Sequence, residues 1–150
     1  METQLSRLEL IYGSEKVASL ADKRVAVFGA GGVGGYIIEA LARSGIGAID
    51  IIDSDTVALS NLNRQIIAVR DTVGMLKTEA AKMRVMSIDP DCRVIGIPRF
   101  YAPDNEEEFD LSVYDYVADA IDFVPGKISL AVRCQQLGVP IISALGAGHK

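Results

Sequence analysis

Six residues near the start of the chain, Gly29-Ala30-Gly31-Gly32-Val33-Gly34, have the spacing of a phosphate-binding turn. They follow the apolar run Val25–Phe28 and precede a segment with helical periodicity. In such a turn one glycine makes the tight bend, a second lets a phosphate approach bare backbone, and a third lets the helix pack closely on the strand. The free N–H groups and the positive dipole end of the helix then face the anion. The motif predicts a phosphate site, although a plain strand-to-helix turn without a ligand would use the same glycines.

A carboxylate follows this motif at the distance expected in a nucleotide-binding fold. Asp53 ends the apolar run Ala48–Ile52 and lies roughly 20 residues after Gly34. This is the position of the acid that binds ribose hydroxyls in such folds. Strand, glycines, helix, strand and acid in this order are more specific than the glycines alone, and together they predict a nucleotide-binding site.

Residues further along the chain bear on which nucleotide would bind. A triphosphate carries more negative charge than backbone N–H groups can balance, so it needs a guanidinium, an ammonium and usually Mg²⁺ with a carboxylate ligand. Arg64 and Lys77 can supply the two cations, which we expect to be exposed, and Asp122 the carboxylate. An ordinary solvated lysine and a helix N-cap are the structural alternatives for Lys77 and Asp122, and Asp119 is a candidate structural acid. An NAD(P)-binding oxidoreductase is the alternative of another class, because the glycines and Asp53 alone would suit it.

The alternation of apolar segments predicts an α/β fold of the Rossmann-like type, a doubly wound, mainly parallel sheet with helices on both faces. We expect strands at 24–28, 48–52, 93–97, 116–120 and 139–143, and longer helices at about 32–44, 74–88 and 125–138. The carboxyl ends of parallel strands meet at one edge, so Asp53, Asp122 and Ala144 should line one crevice. In the helix at 32–44 one shared face is predicted, made of Val33, Ile37, Ala40, Leu41 and Ser44.

Two domains are expected, an N-terminal helical arm at residues 1–22 and a nucleotide-binding domain at residues 23–150. The arm is broken at Gly13, and Ser14 is a plausible start for its second helix. After the fifth strand the chain enters the glycine-rich segment Gly146–Gly148, where a loop would begin. We therefore expect the natural protein to continue beyond Lys150, and this shortened chain to lack full activity.

Composition excludes several classes of protein. Apolar residues make up 49% of the chain, which argues against disorder, and 15 basic against 20 acidic residues argue against a generally nucleic-acid-binding surface. The apolar runs are too short to cross a membrane and the start lacks the features of a signal peptide, so we expect a cytoplasmic protein without a membrane partner. Of the potential nucleophiles, Cys134 is expected in the core, whereas Cys92 and His149 are expected to be bystanders.

The motifs in their order along the chain resemble a known family. Gly29–Gly34, the segment I-I-D-S-D, the segment S-N-L-N-R-Q, the segment V-G-M-L-K and the segment D-A-I-D resemble the adenylating domain of ubiquitin-activating enzymes and their bacterial relatives ThiF, MoeB and HesA. The resemblance runs from about Arg7 to the last residue. The segments Glu39–Gly47, Asn61–Gln65, Asp119–Asp122 and Gly146–Gly148 resemble one branch in particular, the tRNA threonylcarbamoyladenosine dehydratases (TcdA, also called CsdL).

The resemblance implies an ATP-dependent enzyme that activates a carboxylate by adenylylation, with Mg²⁺ as cofactor. The implied substrate is threonylcarbamoyladenosine in tRNA, which the enzyme cyclises; the C-terminal glycine of a ubiquitin-like sulfur carrier is the alternative. The segment 5–20 has an apolar face (Leu8, Ile11, Val17 and Leu20) and precedes the first strand, and the fifth strand leaves a sheet edge to be covered, so we expect a homodimer. The resemblance implies that Arg7 corresponds to an arginine that relatives insert into the neighbouring subunit's site.

The resemblance further implies a role for each site residue. The residues of the phosphate turn would be Gly29, Gly31, Gly32 and Gly34. Asp53 would bind the ribose, with Asp55 close by. The residues that face or reach the phosphates would be Asn61, Arg64, Gln65 and Lys77. Asp122 would hold Mg²⁺.

Overall fold

Five parallel strands form one sheet in the computed structural model, which describes residues 2–146. The spatial order is β3-β2-β1-β4-β5, with bounds β1 Arg24–Phe28, β2 Ala48–Ile52, β3 Arg93–Ile97, β4 Tyr116–Asp119 and β5 Ile141–Ser143. The first three strands have the predicted bounds. The fourth ends one residue before Ala120, and the fifth begins at Ile141 rather than Val139. Order and direction confirm the predicted Rossmann-like fold.

The helices of the described part of the chain are α1 Ser6–Tyr12, α2 Ser14–Ser19, α3 Gly34–Arg43, α4 Lys77–Ile88 and α5 Val124–Leu137. Helix α2 begins at Ser14 after Gly13, which has a φ of +86°. Helix α5 has Pro125 in its first turn, where a fixed φ suits the helix, and it ends at the left-handed Gly138. These three helix boundaries agree with the sequence.

Two apolar cores lie on opposite faces of the sheet. One core is built by β1 and β2 with α3 and α4, and includes Ile38, Ile49 and Val85. The other places Phe28 and Val117 against Leu130 of α5 and the segment before β4. Alternate residues of β1 enter different cores, because successive side chains of a strand point to opposite faces. The sheet is therefore covered on both faces, as a doubly wound fold requires.

Helix α3 buries a face that only partly overlaps the one predicted, since Ile37 and Leu41 pack against the core as expected. Gly34, Gly35, Ile38 and Ala42 are buried, whereas Ala40 is exposed and Val33 is 51% exposed. The cause lies in the turn before the helix, where a Cβ on Gly34 would lie 1.7 Å from the carbonyl oxygen of Gly29. This close contact turns Gly34 toward the sheet and sets the phase of the residues that follow it.

Helix α4 begins at Lys77, not at Gly74 as the sequence indicated. The three residues before it are held by the connection that follows β2: Val57 N–H donates to Met75 O, Gly74 N–H donates to Val57 O, and Thr56 pairs with Leu76 in an isolated bridge. These tertiary hydrogen bonds occupy backbone groups that a longer helix would have used.

The N-terminal arm is attached by only part of its apolar surface. Val17 is 2% exposed and Leu20 packs against the α3 and α4 core, whereas Leu10 and Ile11 are 78% and 73% exposed. Within residues 2–146 no helix is long and apolar enough to span a membrane. Gly148 and His149, which the sequence interpretation mentioned, lie outside the described residues.

Candidate functional site

The glycine turn, residues 29–34, lies where the order of the strands reverses, at the carboxyl ends of β1 and β4. Gly29 has a φ of +94°, and a Cβ there would lie 2.7 Å from the carbonyl oxygen of Ala120. Gly29 and Gly34 are therefore required by the packing of the fold. The packing does not require glycine at Gly31 and Gly32, because a Cβ there would have its nearest neighbours at the ordinary contact distances of 3.8 Å and 3.7 Å. Those neighbours are side-chain atoms of Gln65 and Arg64.

The carboxylate of Asp53 holds two backbone segments together. Its Oδ2 accepts the N–H of Ala30 at 2.8 Å, and its Oδ1 accepts the N–H of Asp55 at 2.8 Å. The acid after β2 thus fixes the glycine turn after β1. Each carboxylate oxygen has a further lone pair, so a ribose hydroxyl can still donate to Asp53. The bond to Ala30 could not be read from the spacing, which indicates only that the two strand ends are neighbours.

Lys77 is buried, which corrects the expectation that both cations would be exposed. Only 7% of the residue is exposed, and its Nζ lies 3.3 Å from Asp55 Oδ2. The Lys77 N–H also donates to the backbone oxygen of Asp55 at 2.9 Å. The side chain of Asp55 is itself 69% exposed. Lys77 is therefore not an ordinary solvated lysine, and its ammonium is paired with a carboxylate that faces water.

The segment 61–65 covers the glycine turn and contains groups of different burial. Asn61 Oδ1 accepts the N–H of Ala58 at 2.9 Å, which fixes the start of the segment. Arg64 is exposed as expected, and its guanidinium donates to Ser60 O and to Asn63 Oδ1. Gln65 is 6% exposed, yet its Oε1 finds no hydrogen-bond donor among residues 2–146. A buried unpaired oxygen is costly, so this atom marks a place where a ligand donor would be stabilising.

Asp122 lies just after β4 with its side chain exposed. It is not the N-cap of α5, since the N-cap position is Phe123 and no side chain caps the helix.

Asp119, in contrast, is fully buried and pairs with Lys127 at 3.0 Å. Ala144 N–H donates to Asp119 O, so the end of β5 lies beside the end of β4. Asp53, Asp122 and Ala144 thus share the carboxyl edge of the sheet. Within residues 2–146 no three His, Cys, Asp or Glu side chains form a metal-binding cluster.

Arg7 is not gathered with these residues in its own chain. It lies exposed on α1, and Leu5 at the N-cap of this helix packs against Gly45, where a Cβ would lie 2.8 Å from Leu5 Cδ1. Gly45 follows the end of α3 that is remote from the glycine turn. The structure therefore brings together the predicted site residues of the strand ends and loops, and leaves Arg7 apart from them.

The two cysteines lie in the cores. Cys134 of α5 is fully buried, as predicted, and Cys92 is 6% exposed. Burial raises the pKa of both thiols, and that of Cys92 to about 11. Both thiols therefore stay protonated at neutral pH, which is the opposite of what a nucleophilic cysteine needs.

A model of the ThiF family matches residues 1–150. This chain belongs to the ThiF family. The ThiF-family chain is 44% identical to the tRNA threonylcarbamoyladenosine dehydratase of Bacillus subtilis (strain 168), over 98% of this chain and 58% of that protein. It superposes with a TM-score of 0.92 and 42% identity on the crystal structure of E. coli tRNA N6-threonylcarbamoyladenosine dehydratase, TcdA, in complex with ATP, covering 98% of this chain and 60% of that one.

A more distant relative has a different name. The adenylyltransferase and sulfurtransferase uba4 of Ogataea parapolymorpha is 35% identical over 90% of this chain and 34% of its own length. The chain thus spans less than two thirds of the length of each of these relatives.

Proposed function

We propose that this ThiF-family chain binds ATP with Mg²⁺ and activates a carboxylate by adenylylation, in the cyclisation of threonylcarbamoyladenosine in tRNA. The observation that carries the proposal is the buried Lys77, which is joined to the glycine turn through Asp55 and Asp53. A buried ammonium whose described carboxylate partner faces solvent is well suited to pair with an arriving phosphate. The relatives named for this dehydratase activity, one of them in complex with ATP, support the same proposal.

The proposed contacts with the nucleotide follow from this arrangement. The phosphates would lie against the N–H groups of Gly31 and Gly32, where even a Cβ would have no neighbour closer than 3.7 Å. Asp53 would accept from the ribose hydroxyls, and Asp55 would hold Lys77 ready for the phosphates. Arg64 would bind the phosphates from the solvent side, while the buried Gln65 would donate to them from its amide Nε2 and Asn61 would hold the segment in place.

Mg²⁺ fits the donors at this edge of the sheet. It prefers oxygen ligands and is usually held by one or two carboxylates together with phosphate oxygens of the substrate. Asp122 would be the protein ligand, because its carboxylate is exposed and is not used to cap α5. When bound, the ion would neutralise charge on the phosphates.

The proposed reaction has two steps. A carboxylate oxygen of the threonyl group attacks the α-phosphorus of ATP, the bond from that phosphorus to the β-phosphate oxygen breaks, and pyrophosphate leaves. A nucleophile within the modified adenosine then attacks the activated carbonyl carbon, the ring closes with loss of a proton to solvent, and the bond from that carbon to the phosphate oxygen breaks so that AMP leaves. Arg64, Lys77 and the turn N–H groups would stabilise the negative charge that builds on the phosphates in the first step.

We propose residues 1–22 as an arm and residues 23–150 as the nucleotide-binding domain of a homodimer. In that dimer Arg7 would reach the phosphates of the partner's site, which fits its separation from the site of its own chain. The relative named uba4 supports a second candidate function, in which the same chemistry activates the C-terminal glycine of a ubiquitin-like carrier.

Calorimetry and isotope exchange test these proposals. We expect ATP with Mg²⁺ to bind more tightly than NAD⁺, and binding of NAD⁺ with no response to ATP would overturn the nucleotide assignment. Exchange of labelled pyrophosphate into ATP should be stimulated by tRNA that carries threonylcarbamoyladenosine and not by the same tRNA lacking the modification. Stimulation by a ubiquitin-like carrier alone would favour the second candidate.

A further inference from the structure

Residues 120–123, here called the Asp122 loop, connect β4 to α5 and are held by hydrogen bonds on both sides of Asp122. Ala120 N–H donates to Phe28 O at 2.8 Å, and Ile121 N–H donates to Asp119 Oδ1 at 3.2 Å. On the other side, Lys127 N–H donates to Phe123 O at 3.1 Å. The backbone of the loop is thus fixed, while the carboxylate of Asp122 remains exposed.

The side chain of Lys127 makes the remaining contact with this loop. From the first turns of α5 its Nζ donates to Ile121 O at 2.9 Å and to Asp119 Oδ2 at 3.0 Å. The Lys127 side chain is 13% exposed and that of Asp119 is fully buried. One ammonium therefore joins a buried carboxylate at the end of β4 to the carbonyl that immediately precedes Asp122.

The same loop lies against the glycine turn. A Cβ on Gly29 would lie 2.7 Å from Ala120 O, so there is no free space between the two segments. A change in the path of the Asp122 loop would therefore alter the distance between Asp122 and any phosphate bound at the turn. Lys127 controls that path because the carbonyl it binds belongs to the peptide group that links Ile121 to Asp122.

We propose that Lys127 is a positioning residue that, together with Asp119, sets the place of the Asp122 carboxylate for Mg²⁺. The proposal rests on the proposed function, since it takes Asp122 as the ligand of the ion. Lys127 does not touch the nucleotide or the metal. Removing it would leave Ile121 O without its side-chain donor and Asp119 without its cation, so the loop would lose one of its fixed points.

The test measures the affinity for Mg²⁺ apart from the affinity for the nucleotide. ATP is titrated by calorimetry at several Mg²⁺ concentrations. The Mg²⁺ requirement is the Mg²⁺ concentration at which the tightening of ATP binding is half-maximal. Titration of AMP in EDTA gives the affinity for a nucleotide without metal. For Lys127→Met we expect the Mg²⁺ requirement to rise about tenfold, in the range for residues that orient metal ligands, with the dissociation constant for AMP nearly unchanged. Lys127→Arg, which keeps the charge and the donors, should recover much of the effect.

A double variant separates positioning from general stabilisation. Asp122→Asn should raise the Mg²⁺ requirement by itself, and adding Lys127→Met should then raise it little further, because the second change acts through a carboxylate already removed. Additive effects, or equal losses for ATP and AMP, would overturn the positioning role. If Lys127→Met does not fold, Asp119→Asn, which removes the carboxylate that holds the ammonium, takes its place, and a Mg²⁺ requirement equal to that of the parent chain would overturn the proposal.

The outcomes also distinguish this proposal from the proposed function. If Asp122→Asn leaves the Mg²⁺ requirement unchanged, the assignment of Asp122 as the metal ligand fails, and the role of Lys127 fails with it. If Asp122→Asn raises the requirement and Lys127→Met does not, only the positioning role of Lys127 is overturned.

Discussion

The carboxylate of Asp53 accepts the N–H of Ala30 at 2.8 Å, so the acid that follows β2 holds the glycine turn that follows β1. Its other oxygen accepts the N–H of Asp55, whose side chain pairs with Lys77. A continuous set of contacts thus links the glycine turn to the buried ammonium. Any ligand that moves one of these groups must also affect the others.

Replacing Asp53 should therefore weaken the binding of both ends of a nucleotide. For Asp53→Ala we expect the dissociation constant for AMP to rise about tenfold or more, since the ribose loses its acceptor. Pyrophosphate binding should also weaken, by a smaller factor, because the turn loses its bond from Ala30. Calorimetry with each ligand checks this, with Asp71→Ala, an exposed acid in the connection that follows β2, as the control. Unchanged pyrophosphate binding would show that the Asp53–Ala30 bond does not shape the phosphate site.

Arg64 and Lys77 should be separable by their effects on stability. Both Arg64→Ala and Lys77→Ala are expected to weaken ATP binding at least tenfold with little change for AMP, since each removes a cation from the outer phosphates. Only Lys77→Ala should lower the melting temperature, by roughly 2–5 °C, because its side chain is buried whereas Arg64 is exposed.

The matched variant for this comparison is Lys77→Met, which keeps the buried apolar stem and removes the ammonium. It should melt near the parent chain and still bind ATP weakly. If Lys77→Met binds ATP as tightly as the parent chain does, the Lys77 side chain contributes to packing and its ammonium does not contribute to ATP binding.

The sheet could be predicted from the sequence because its signals are local. Each strand is a short apolar run, and the turn residues between the runs set most of the boundaries. The start of α4 could not be predicted, since Gly74 to Leu76 are kept out of the helix by bonds to Thr56 and Val57 on another segment. The buried face of α3 was predicted only in part for a similar reason, because its start depends on the contact between Gly34 and Gly29.

The residue types of the candidate site could be predicted, but their burial and their hydrogen-bond partners could not. The order of the strands indicated that Asp53 and Asp122 belong to one edge of the sheet. The burial of Lys77 depends on Asp55, and the two bonds of Asp53 depend on how the loops after β1 and β2 pack. Lys127 carried no signal at all, since a lysine in the first turns of a helix is normally solvated, and only the buried Asp119 gives it a role.

The ion pairs of Glu39, which link α3 to α4, predict that the stability of the fold decreases in acid. Hydrogen bonds from Arg84 and then Arg43 hold the pKa of the Glu39 carboxyl below its ordinary value of 4.5. Because the folded state favours the ionised form, this contribution to the free energy of unfolding is complete above pH 4.5 and is lost as the pH falls through the lowered pKa.

The Glu39→Gln variant tests this. It should melt about 2–4 °C below the parent chain at pH 7, because two partly exposed ion pairs are weakened. Between pH 5 and pH 3 the difference should shrink as the parent loses the same contribution. Melting curves followed by circular dichroism would show this, with the exposed Glu107→Gln as the control. A difference in melting temperature that stayed constant over that range would argue against a role for the charge of Glu39.

The exposed apolar residues of α1 predict that the arm packs against a second copy of the chain. Leu10, Ile11 and Tyr12 are 78%, 73% and 58% exposed, and α1 buries none of its residues in its own chain. We expect Ile11→Glu to shift the chain toward monomer in analytical ultracentrifugation. Val132→Glu, which places the same charge on an exposed apolar position of α5, should leave the dimer intact.

The dimer also predicts complementation between two inactive variants. If Arg7 completes the partner's site, a mixture of Arg7→Ala and Arg64→Ala chains contains heterodimers in which one of the two sites has both arginines. With random pairing, half of the dimers are mixed and half of their sites are intact, so pyrophosphate exchange should return to about a quarter of the parent rate. Each variant alone should show far less exchange. If the mixture is no more active than its components, Arg7 lies outside the partner's site. If the chain still forms a dimer with Ile11→Glu, α1 is not part of the interface.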